Sequence, residues 1–160
     1  MANICWNYIA FFGEADKIAK IKNDIDNESL YEDLNWVDDF SLIEYEGSLT
    51  INCGTKWAPP FEWIESMSIQ YGVTIECEYD EGGADICGKF GYRDGNLEFN
   101  LEFPYLQGKY NLMDWTDFVE CEVLWRLDDA DPFDEFIAPF KEFCSDGEIA
   151  ELEELFFEKS

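Results

Sequence analysis

The chain has 160 residues, of which 37 are Asp or Glu, 10 are Lys or Arg and none is His, so its formal net charge is -27. Aromatic residues make up 18% of the chain, which distinguishes it from disordered acidic tails and predicts a compact domain. The negative charge disfavours direct binding to nucleic acid and to an anionic membrane surface. The absence of histidine excludes Ser-His-Asp triads, Cys-His pairs and imidazole metal ligands.

Neither a signal peptide nor a membrane span is predicted. The first residues lack a basic segment and reach Glu14 and Asp16 early, and no apolar run is long enough to cross a bilayer. The six cysteines form no C-x-x-C motif, and without a secretory signal we expect them to be reduced and buried. They are Cys5, Cys53, Cys77, Cys87, Cys121 and Cys144.

Six elements in the order β-α-β-β-α-β are predicted for the first half of the chain. They span residues 4–12, 14–27, 40–45, 49–53, 58–71 and 73–79. Isoleucines three and four residues apart predict the first helix, and Glu46-Gly47 predicts a hairpin turn. Pro59-Pro60 fits the first turn of the second helix, and Gly72 fits its end.

Two more strands, at residues 86–92 and 96–103, follow and are joined by the hairpin signal Asp94-Gly95. The series predicts an α+β fold, namely a ferredoxin-like sandwich extended by an antiparallel meander. In this architecture helices cover one face of the sheet, and the other face is solvated. Alternation along the strands places acidic residues on that solvated face: Glu76, Glu78, Glu98 and Glu102.

Helical patterns replace strand alternation after Pro104. Residues 114–126 fit both a helix and a strand, and we favour the helix, while residues 134–144 and 147–159 are predicted helices. We expect residues 104–160 to form an acidic, mainly helical extension packed on the sheet core of residues 1–103. Residues 1–160 would then be a single domain.

The acidic surplus is largest in this extension, because residues 110–160 hold 16 acidic and 3 basic side chains. A net charge of roughly 2–8 is enough to keep a small domain soluble. A charge of -27 adds self-repulsion to the folded state, and a basic partner is the simplest compensation. Duplex DNA carries one charge per ~1.7 Å, so this charge matches about 46 Å of duplex, close to the ~40 Å diameter of a domain of this length.

Three further kinds of site are considered and rejected. Residues 83–89 fit G-x-x-x-x-G-K, but Phe90 stands where a phosphate-binding loop needs Ser or Thr, and a strand follows instead of a helix. Residues 24–28 begin like a calcium loop but lack its glycine. A glycosidase would need a carboxylate pair beside sugar-stacking aromatic residues. Four tryptophans could stack on a sugar, but we expect them to lie in the core: Trp57, Trp63, Trp115 and Trp125. We therefore predict no catalytic residue, no metal site and no cofactor.

Two short motifs resemble those of a known family. Asn3-Ile4-Cys5-Trp6-Asn7 resembles the N-W-C-x-N opening of the YubB-type ferredoxin-like proteins of phages and plasmids, with Ile4 in place of the first family Trp. Trp57-Ala58-Pro59-Pro60, followed by Cys87-Gly88, resembles the W-x-P-P … C-G segment of that family. The resemblance covers roughly residues 1–103 and implies a ferredoxin-like fold, a mobile-element setting and a cytoplasmic location in a host bacterial cell. It implies no activity, and the acidic C-terminal helices lie outside it.

These observations lead to the hypothesis that the protein is a mobile-element inhibitor of a host defence nuclease, of the anti-CRISPR or anti-restriction class. As a DNA mimic it would place carboxylates where phosphates bind, in the Lys- and Arg-rich groove of a host DNA-binding defence protein or complex. The first expected contact residues are Asp128, Asp129, Asp131, Asp134, Glu135, Glu151, Glu153 and Glu154. The second set consists of Glu76, Glu78, Glu98 and Glu102. Two alternatives stay open: an enzyme with paired carboxylates, and an acidic adaptor that binds a basic protein without mimicking DNA.

Overall fold

The computed structural model describes residues 3–27, 34, 36–45, 47–81, 83–127 and 132–159. The chain divides into two compact units, residues 1–102 and residues 103–160. The first unit holds a sheet with two helices, and helical segments follow in the second. The predicted packing of the C-terminal extension on the sheet stays a prediction.

The first unit contains the β-α-β-β-α-β series and two added strands. Its elements are β1 Ile4–Phe12, α1 Ala15–Asp26, β2 Trp36–Tyr45, β3 Ser48–Lys56, α2 Phe61–Tyr71, β4 Thr74–Glu81, β5 Ile86–Arg93 and β6 Asn96–Pro104. The strand order is β2-β3-β1-β4-β5-β6. β1 pairs antiparallel with β3 and β4, β2 with β3, and β4 with β5. This architecture confirms the predicted α+β fold with a meander added beside β4.

Both helices of this unit pack on the same face of the sheet. Alternate residues of β1 and β4 are buried beneath them, as period-two alternation predicts. The buried core joins residues of both helices to these strands: Ile18, Ile21 and Ile25 of α1, Ile64 and Met67 of α2, Ile9 and Phe11 of β1, and Ile75 and Cys77 of β4. The opposite face of the sheet is free of α1 and α2 and is called the solvated face below.

A buried asparagine joins the central strands to the start of α2. Asn7 is 4% exposed, and its side-chain N–H groups donate to the carbonyl oxygens of Cys5 (2.9 Å) and Cys53 (3.2 Å). They also donate to the hydroxyl oxygen of Thr55 (2.9 Å), and that hydroxyl donates to the carbonyl oxygen of Ala58 (2.7 Å). Because an unpaired polar group in an apolar core is costly, this network fixes β1, β3 and the β3–α2 connection relative to one another.

Gly88 on β5 allows the backbone of β6 and the side chain of Tyr79 to approach closely. A side chain at Gly88 would begin 2.3 Å from the carbonyl oxygen of Leu101 and 2.8 Å from the hydroxyl of Tyr79, so only glycine fits there. β6 lies at the edge of the sheet, and Leu97 and Leu101 are 50% and 44% exposed. The alternation predicted for this strand therefore does not produce a buried face.

The second unit consists of short helical segments around a phenylalanine-rich core. They are α3 Tyr105–Leu112, α4 Trp115–Phe118, a π-helical segment Val119–Val123, α5 Leu124–Leu127, α6 Phe133–Ile137, a 3-10 turn Phe140–Glu142 and α7 Asp146–Lys159. Phe118, Phe140 and Leu152 are at most 1% exposed and form the centre of this core.

The sequence predicts this unit less well than the first. The helix favoured for residues 114–126 is confirmed, with a π-helical segment within it, and α7 confirms the last predicted helix. The helix predicted for residues 134–144 is wrong because α6 ends at Ile137. Pro139 has no backbone N–H to bond the carbonyl oxygen of Glu135, and its ring crowds that turn. α3 was not predicted, because its residues lack a clear apolar period.

The Asn7 network gives a test of the core. We expect Asn7→Ala to lower the free energy of unfolding by about 2–4 kcal/mol, because it removes three hydrogen bonds from a buried site. Urea unfolding followed by tryptophan fluorescence measures this change. Asn52→Ala is the matched control, since the Asn52 amide donates to the Ser41 hydroxyl at an exposed position (3.2 Å), and we expect a loss below about 1 kcal/mol. Equal losses in the two variants would contradict the importance given to Asn7.

Candidate functional site

The structure places predicted acidic residues together on two packed helices. Five of the first-choice residues are exposed there and are called the acidic helix surface: Asp134 and Glu135 on α6, and Glu151, Glu153 and Glu154 on α7. The rings of Phe133 and Phe136 on α6 lie 5.1 Å and 5.4 Å from the ring of Phe156 on α7, which holds the two helices together. The other three first-choice residues lie outside the described residues: Asp128, Asp129 and Asp131.

A reciprocal pair of hydrogen bonds fixes the start of α7. The backbone N–H and the hydroxyl of Ser145 donate to the carboxylate of Glu148 over 2.8 Å and 2.6 Å, and the Glu148 N–H lies 3.4 Å from the Ser145 hydroxyl oxygen. The Tyr110 hydroxyl donates to the same carboxylate over 3.1 Å. The hydrogen bonds from Ser145 lower the pKa of Glu148 below its ordinary 4.5. Glu148 is therefore an anchor of α7 and separate from the acidic helix surface.

Projected on the axis of α7, four exposed carboxylates have the linear density of phosphates along a DNA strand, with Glu151 and Glu153 on opposite flanks of the helix. The exposed residues Glu151, Glu153, Glu154 and Glu158 span seven residue steps. At ~1.5 Å per residue this is about 10.5 Å of helix axis, or about 3.5 Å per charge. One DNA strand carries a phosphate per ~3.4 Å of axis. Glu151 is held in place because the indole N–H of Trp115 donates to its carboxylate over 2.9 Å.

Three residues of the second predicted set lie on the solvated face of the sheet. Glu76 and Glu78 are exposed on β4, in the alternate positions that face away from the helices. Glu98 accepts from Arg93 over 3.2 Å, and Arg93 also donates to the hydroxyl of Thr74 on the same side of β4. The alternation predicted for Glu76 and Glu78 on β4 is confirmed, and the role of all three residues as partner contacts stays a prediction.

Glu102 does not lie with them. Its carboxylate accepts a hydrogen bond from the Tyr79 hydroxyl over 3.1 Å, and Tyr79 belongs to the buried core under the helices. Burial and this carboxylate raise the pKa of Tyr79. The expected position of Glu102 on the solvated face is therefore wrong, because the Tyr79 side chain reaches past Gly88 to the edge strand.

Sequence reasoning missed a group of aromatic side chains beside Glu76 and Glu78. They are Trp6, Tyr8 and Phe12 on β1 and Tyr45 on β2, with exposed fractions of 41%, 45%, 43% and 61%. Tyr8 is the cross-strand neighbour of Glu78, and Ala10 is that of Glu76. A cavity of about 150 Å³ opens between Tyr8, Phe12 and Tyr45 beside the two carboxylates, and Trp6 does not line it. The spacing of the aromatic residues in Ile4–Phe12 could have predicted this group, because positions 6, 8 and 12 lie on one face of a strand.

Trp57 contradicts the expectation that the tryptophans lie in the core. It is 59% exposed, whereas Trp63 is 7% exposed and belongs to the core as predicted. The Trp57 backbone has a φ of 68°, and its N–H donates to the carbonyl oxygen of Asn3 over 3.1 Å. This left-handed turn at the end of β3 leaves the indole in solvent and stores backbone strain. The side chain of Trp125 lies outside the described part of the chain.

The cysteines are free thiols, and four of the six are buried as expected. Burial raises the pKa of Cys5 and of Cys53 to about 12, so both thiols are protonated at neutral pH. The expectation of burial is wrong for Cys121, which is exposed in the π-helical segment, and for Cys144, which is half-buried. Within the described residues no group of three Cys, Asp or Glu side chains is arranged to hold a metal ion.

Comparison with known proteins bears on the fold. A family model described as a ferredoxin-like domain in Api92-like protein matches residues 31–121. The matched range includes the Trp57–Pro60 and Cys87-Gly88 motifs, begins after α1 and ends within the π-helical segment. No curated protein and no solved structure shows a match. Among the helices that the structure describes, none is long and apolar enough to cross a membrane.

Thiol labelling tests the exposure of the cysteines. With Ellman's reagent at pH 8 we expect one fast equivalent, from Cys121, and slow reaction of Cys144, because burial raises the Cys144 pKa to about 12. The four buried cysteines should react only after unfolding. Cys121→Ser should remove the fast phase and leave the rest of the time course unchanged. A fast phase that survives this substitution would contradict the assignment.

The pH dependence of stability tests the anchor of α7. We expect Glu148→Ala to lower the free energy of unfolding by about 1 kcal/mol at pH 7, because it removes the cap and the Tyr110 hydrogen bond. Since folding lowers the Glu148 pKa, this contribution is complete above its ordinary value of 4.5 and is lost as the pH falls through the lower folded value. Urea unfolding of both proteins at pH 7 and pH 3 should show a smaller difference at pH 3. Glu154→Ala is the matched control, since it removes an exposed carboxylate of α7 and leaves the Ser145 and Tyr110 hydrogen bonds to Glu148 in place, and we expect a loss below about 0.5 kcal/mol at pH 7.

Proposed function

The chain belongs to the family of ferredoxin-like domains in Api92-like proteins, and its acidic helix surface lies beyond the residues matched to that family, so we propose that this surface makes the protein an acidic DNA mimic. In this proposal the protein is an inhibitor from a phage or another mobile element, of the anti-CRISPR or anti-restriction class. It works in the cytoplasm of a host bacterium and occupies the Lys- and Arg-rich DNA-binding groove of a host defence nuclease complex. It needs no cofactor and catalyses no reaction.

The observation that carries the proposal is the density of exposed carboxylates on α7. The carboxylates of α7 are spaced about 3.5 Å apart along the helix axis, and the phosphates of one DNA strand have nearly the same axial spacing. Asp134 and Glu135 add two exposed carboxylates on α6, which packs against α7 through Phe136 and Phe156. A groove that spaces its Lys and Arg side chains to meet phosphates can therefore meet this surface with charge-assisted hydrogen bonds.

The ion pairs between described side chains leave the acidic helix surface unneutralised, which supports the same proposal. Among the described residues, the ion pairs are Lys22 with Glu44 and Arg93 with Glu98, and both lie in the first unit. Neither of these two pairs includes Asp134, Glu135, Glu151, Glu153 or Glu154, so neither neutralises a carboxylate of the acidic helix surface. The field of this surface should speed the encounter with a cationic groove, and binding should weaken as salt screens it.

A binding experiment with matched charge variants tests the proposal. The immobilised full chain is exposed to bacterial lysate at increasing salt, the retained proteins are identified by mass spectrometry, and duplex DNA is then added as competitor. We expect a DNA-binding nuclease complex to be retained and to be released by DNA. Neutralising Asp134, Glu135, Glu153 and Glu154 to Asn or Gln should weaken binding at least about fourfold, since each of the four surface charge contacts contributes about 0.2–1 kcal/mol.

The control variant removes the same amount of charge elsewhere. Glu14→Gln, Asp16→Asn, Asp26→Asn and Glu62→Gln all change exposed residues of the first unit. This variant should bind nearly as well as the unmodified chain. An equal loss in both variants would show that net charge alone determines binding. Retention of a complex that still binds its DNA would favour the adaptor alternative, and failure to retain any basic protein at low salt would reject the proposal.

A further inference from the structure

We propose that the cavity on the solvated face of the sheet binds the guanidinium group of an arginine side chain on a basic protein partner. The inference rests on the proposed function only in taking a cationic protein as the partner. It assigns a ligand chemistry to a site in the first unit that the acidic helix surface does not include. The cavity, called the sheet pocket below, holds about 150 Å³.

Small side chains form the floor of the sheet pocket. Ala10 on β1 and Thr50 on β3 are cross-strand partners and are 8% and 2% exposed. Tyr8 and Phe12 lie two residues before and after Ala10 on the same face of β1, about 6.6 Å away along the strand. Tyr45, in the next row on β2, lines the pocket from a third side. Three partly exposed aromatic side chains thus surround a small floor.

Two carboxylates line the remaining side. Glu76 and Glu78 on β4 are the cross-strand neighbours of Ala10 and Tyr8, and both are exposed. The neighbour of Glu76 on β5 is Gly91, so no β5 side chain lies directly opposite its carboxylate. Lys89 is the neighbour of Glu78, but neither residue belongs to the ion pairs found in the described residues. The sheet pocket therefore presents negative charge beside aromatic rings.

This combination favours arginine over other ligands. A guanidinium group stacks on aromatic rings through cation–π attraction and binds carboxylates in a planar, bidentate geometry. An ammonium group is a more strongly hydrated point charge and lacks the planar surface for stacking. Pockets for drug-sized ligands usually hold about 300–1,000 Å³, so a pocket of about half the lower limit suits a single side chain.

A second copy of this chain is a poor occupant. The aromatic side chains alone would suit self-association, because exposed apolar patches commonly mark interfaces. However, each copy would bring a net charge of -27 and the adjacent carboxylates of Glu76 and Glu78 to the contact. Like charges across an interface oppose binding, whereas a basic partner is attracted by the same charges.

A titration with single amino acids whose termini are capped and uncharged tests the sheet pocket directly. The full ¹⁵N-labelled chain is titrated with N-acetyl-arginine amide and followed by NMR. We expect saturable shifts at the amides of Ala10, Thr50 and Glu76, with a dissociation constant on the order of millimolar for a ligand of this size. N-acetyl-lysine amide should bind at least about threefold more weakly. N-acetyl-citrulline amide, which has nearly the same shape without the charge, should give no saturable shifts.

Matched variants locate the binding in the sheet pocket. Glu76→Gln with Glu78→Gln should weaken arginine binding at least about fivefold, and so should Tyr45→Ala, whose side chain is 61% exposed and dispensable for the core. Glu14→Gln with Glu62→Gln removes the same charge at exposed residues outside the sheet pocket and should leave binding unchanged.

Three results would overturn the inference: shifts spread over all acidic residues without saturation, equal binding of the citrulline or lysine ligand, or unchanged binding after the double substitution in the sheet pocket. The titration uses capped amino acids and no nuclease complex, so a negative result does not contradict the DNA-mimic proposal. Failure of the lysate experiment likewise leaves a positive titration intact.

Discussion

The hydrogen bonds of Asn7 are the interaction on which the first unit depends. Its amide donates to three oxygens, and the thiols of Cys5 and Cys77 lie 3.8 Å and 3.9 Å from its side-chain oxygen. Burial keeps both thiols protonated by raising their pKa values, so they act as weak donors. Asn7 ends the first sequence motif, and the bond from Thr55 to Ala58 reaches the second. The two motifs therefore meet in one network, and their residues are explained by the fold without any catalytic role.

A second constraint is the shortage of cations, since 10 basic residues face 37 acidic ones. The structure holds several carboxylates with neutral aromatic donors: Tyr71 with Asp24, Tyr79 with Glu102, Tyr105 with Glu122, Tyr110 with Glu148 and Trp115 with Glu151. A hydroxyl or indole donor fixes a carboxylate without cancelling its charge. The high aromatic content and the high negative charge are thus linked, because the aromatic residues both fill the cores and position the acidic groups.

The sequence predicts the elements of the first unit because each of them has one buried side with a regular period. β4 shows this most clearly, since its residues alternate between core and solvent. β1 is apolar on both faces, so its pattern does not distinguish the core from the aromatic side chains of the solvated face. The position of Glu102 depends on the tertiary contact with Tyr79, and the exposure of Trp57 depends on a left-handed turn. Local sequence contains neither kind of information, whereas the break at Pro139 was readable from that residue alone.

The two proposed binding sites would contribute differently to the binding of a basic partner. At physiological salt the Debye length is about 8 Å, so the acidic helix surface attracts a partner only over a short distance and attracts any basic protein in the same way. Charge density alone therefore provides encounter rate but little selectivity. The sheet pocket adds aromatic shape to two carboxylates, and a contact that excludes water is screened less and distinguishes arginine from lysine. In the proposed binding, selectivity for one basic partner would thus depend more on the aromatic residues beside Glu76 and Glu78 than on the larger number of carboxylates on α6 and α7.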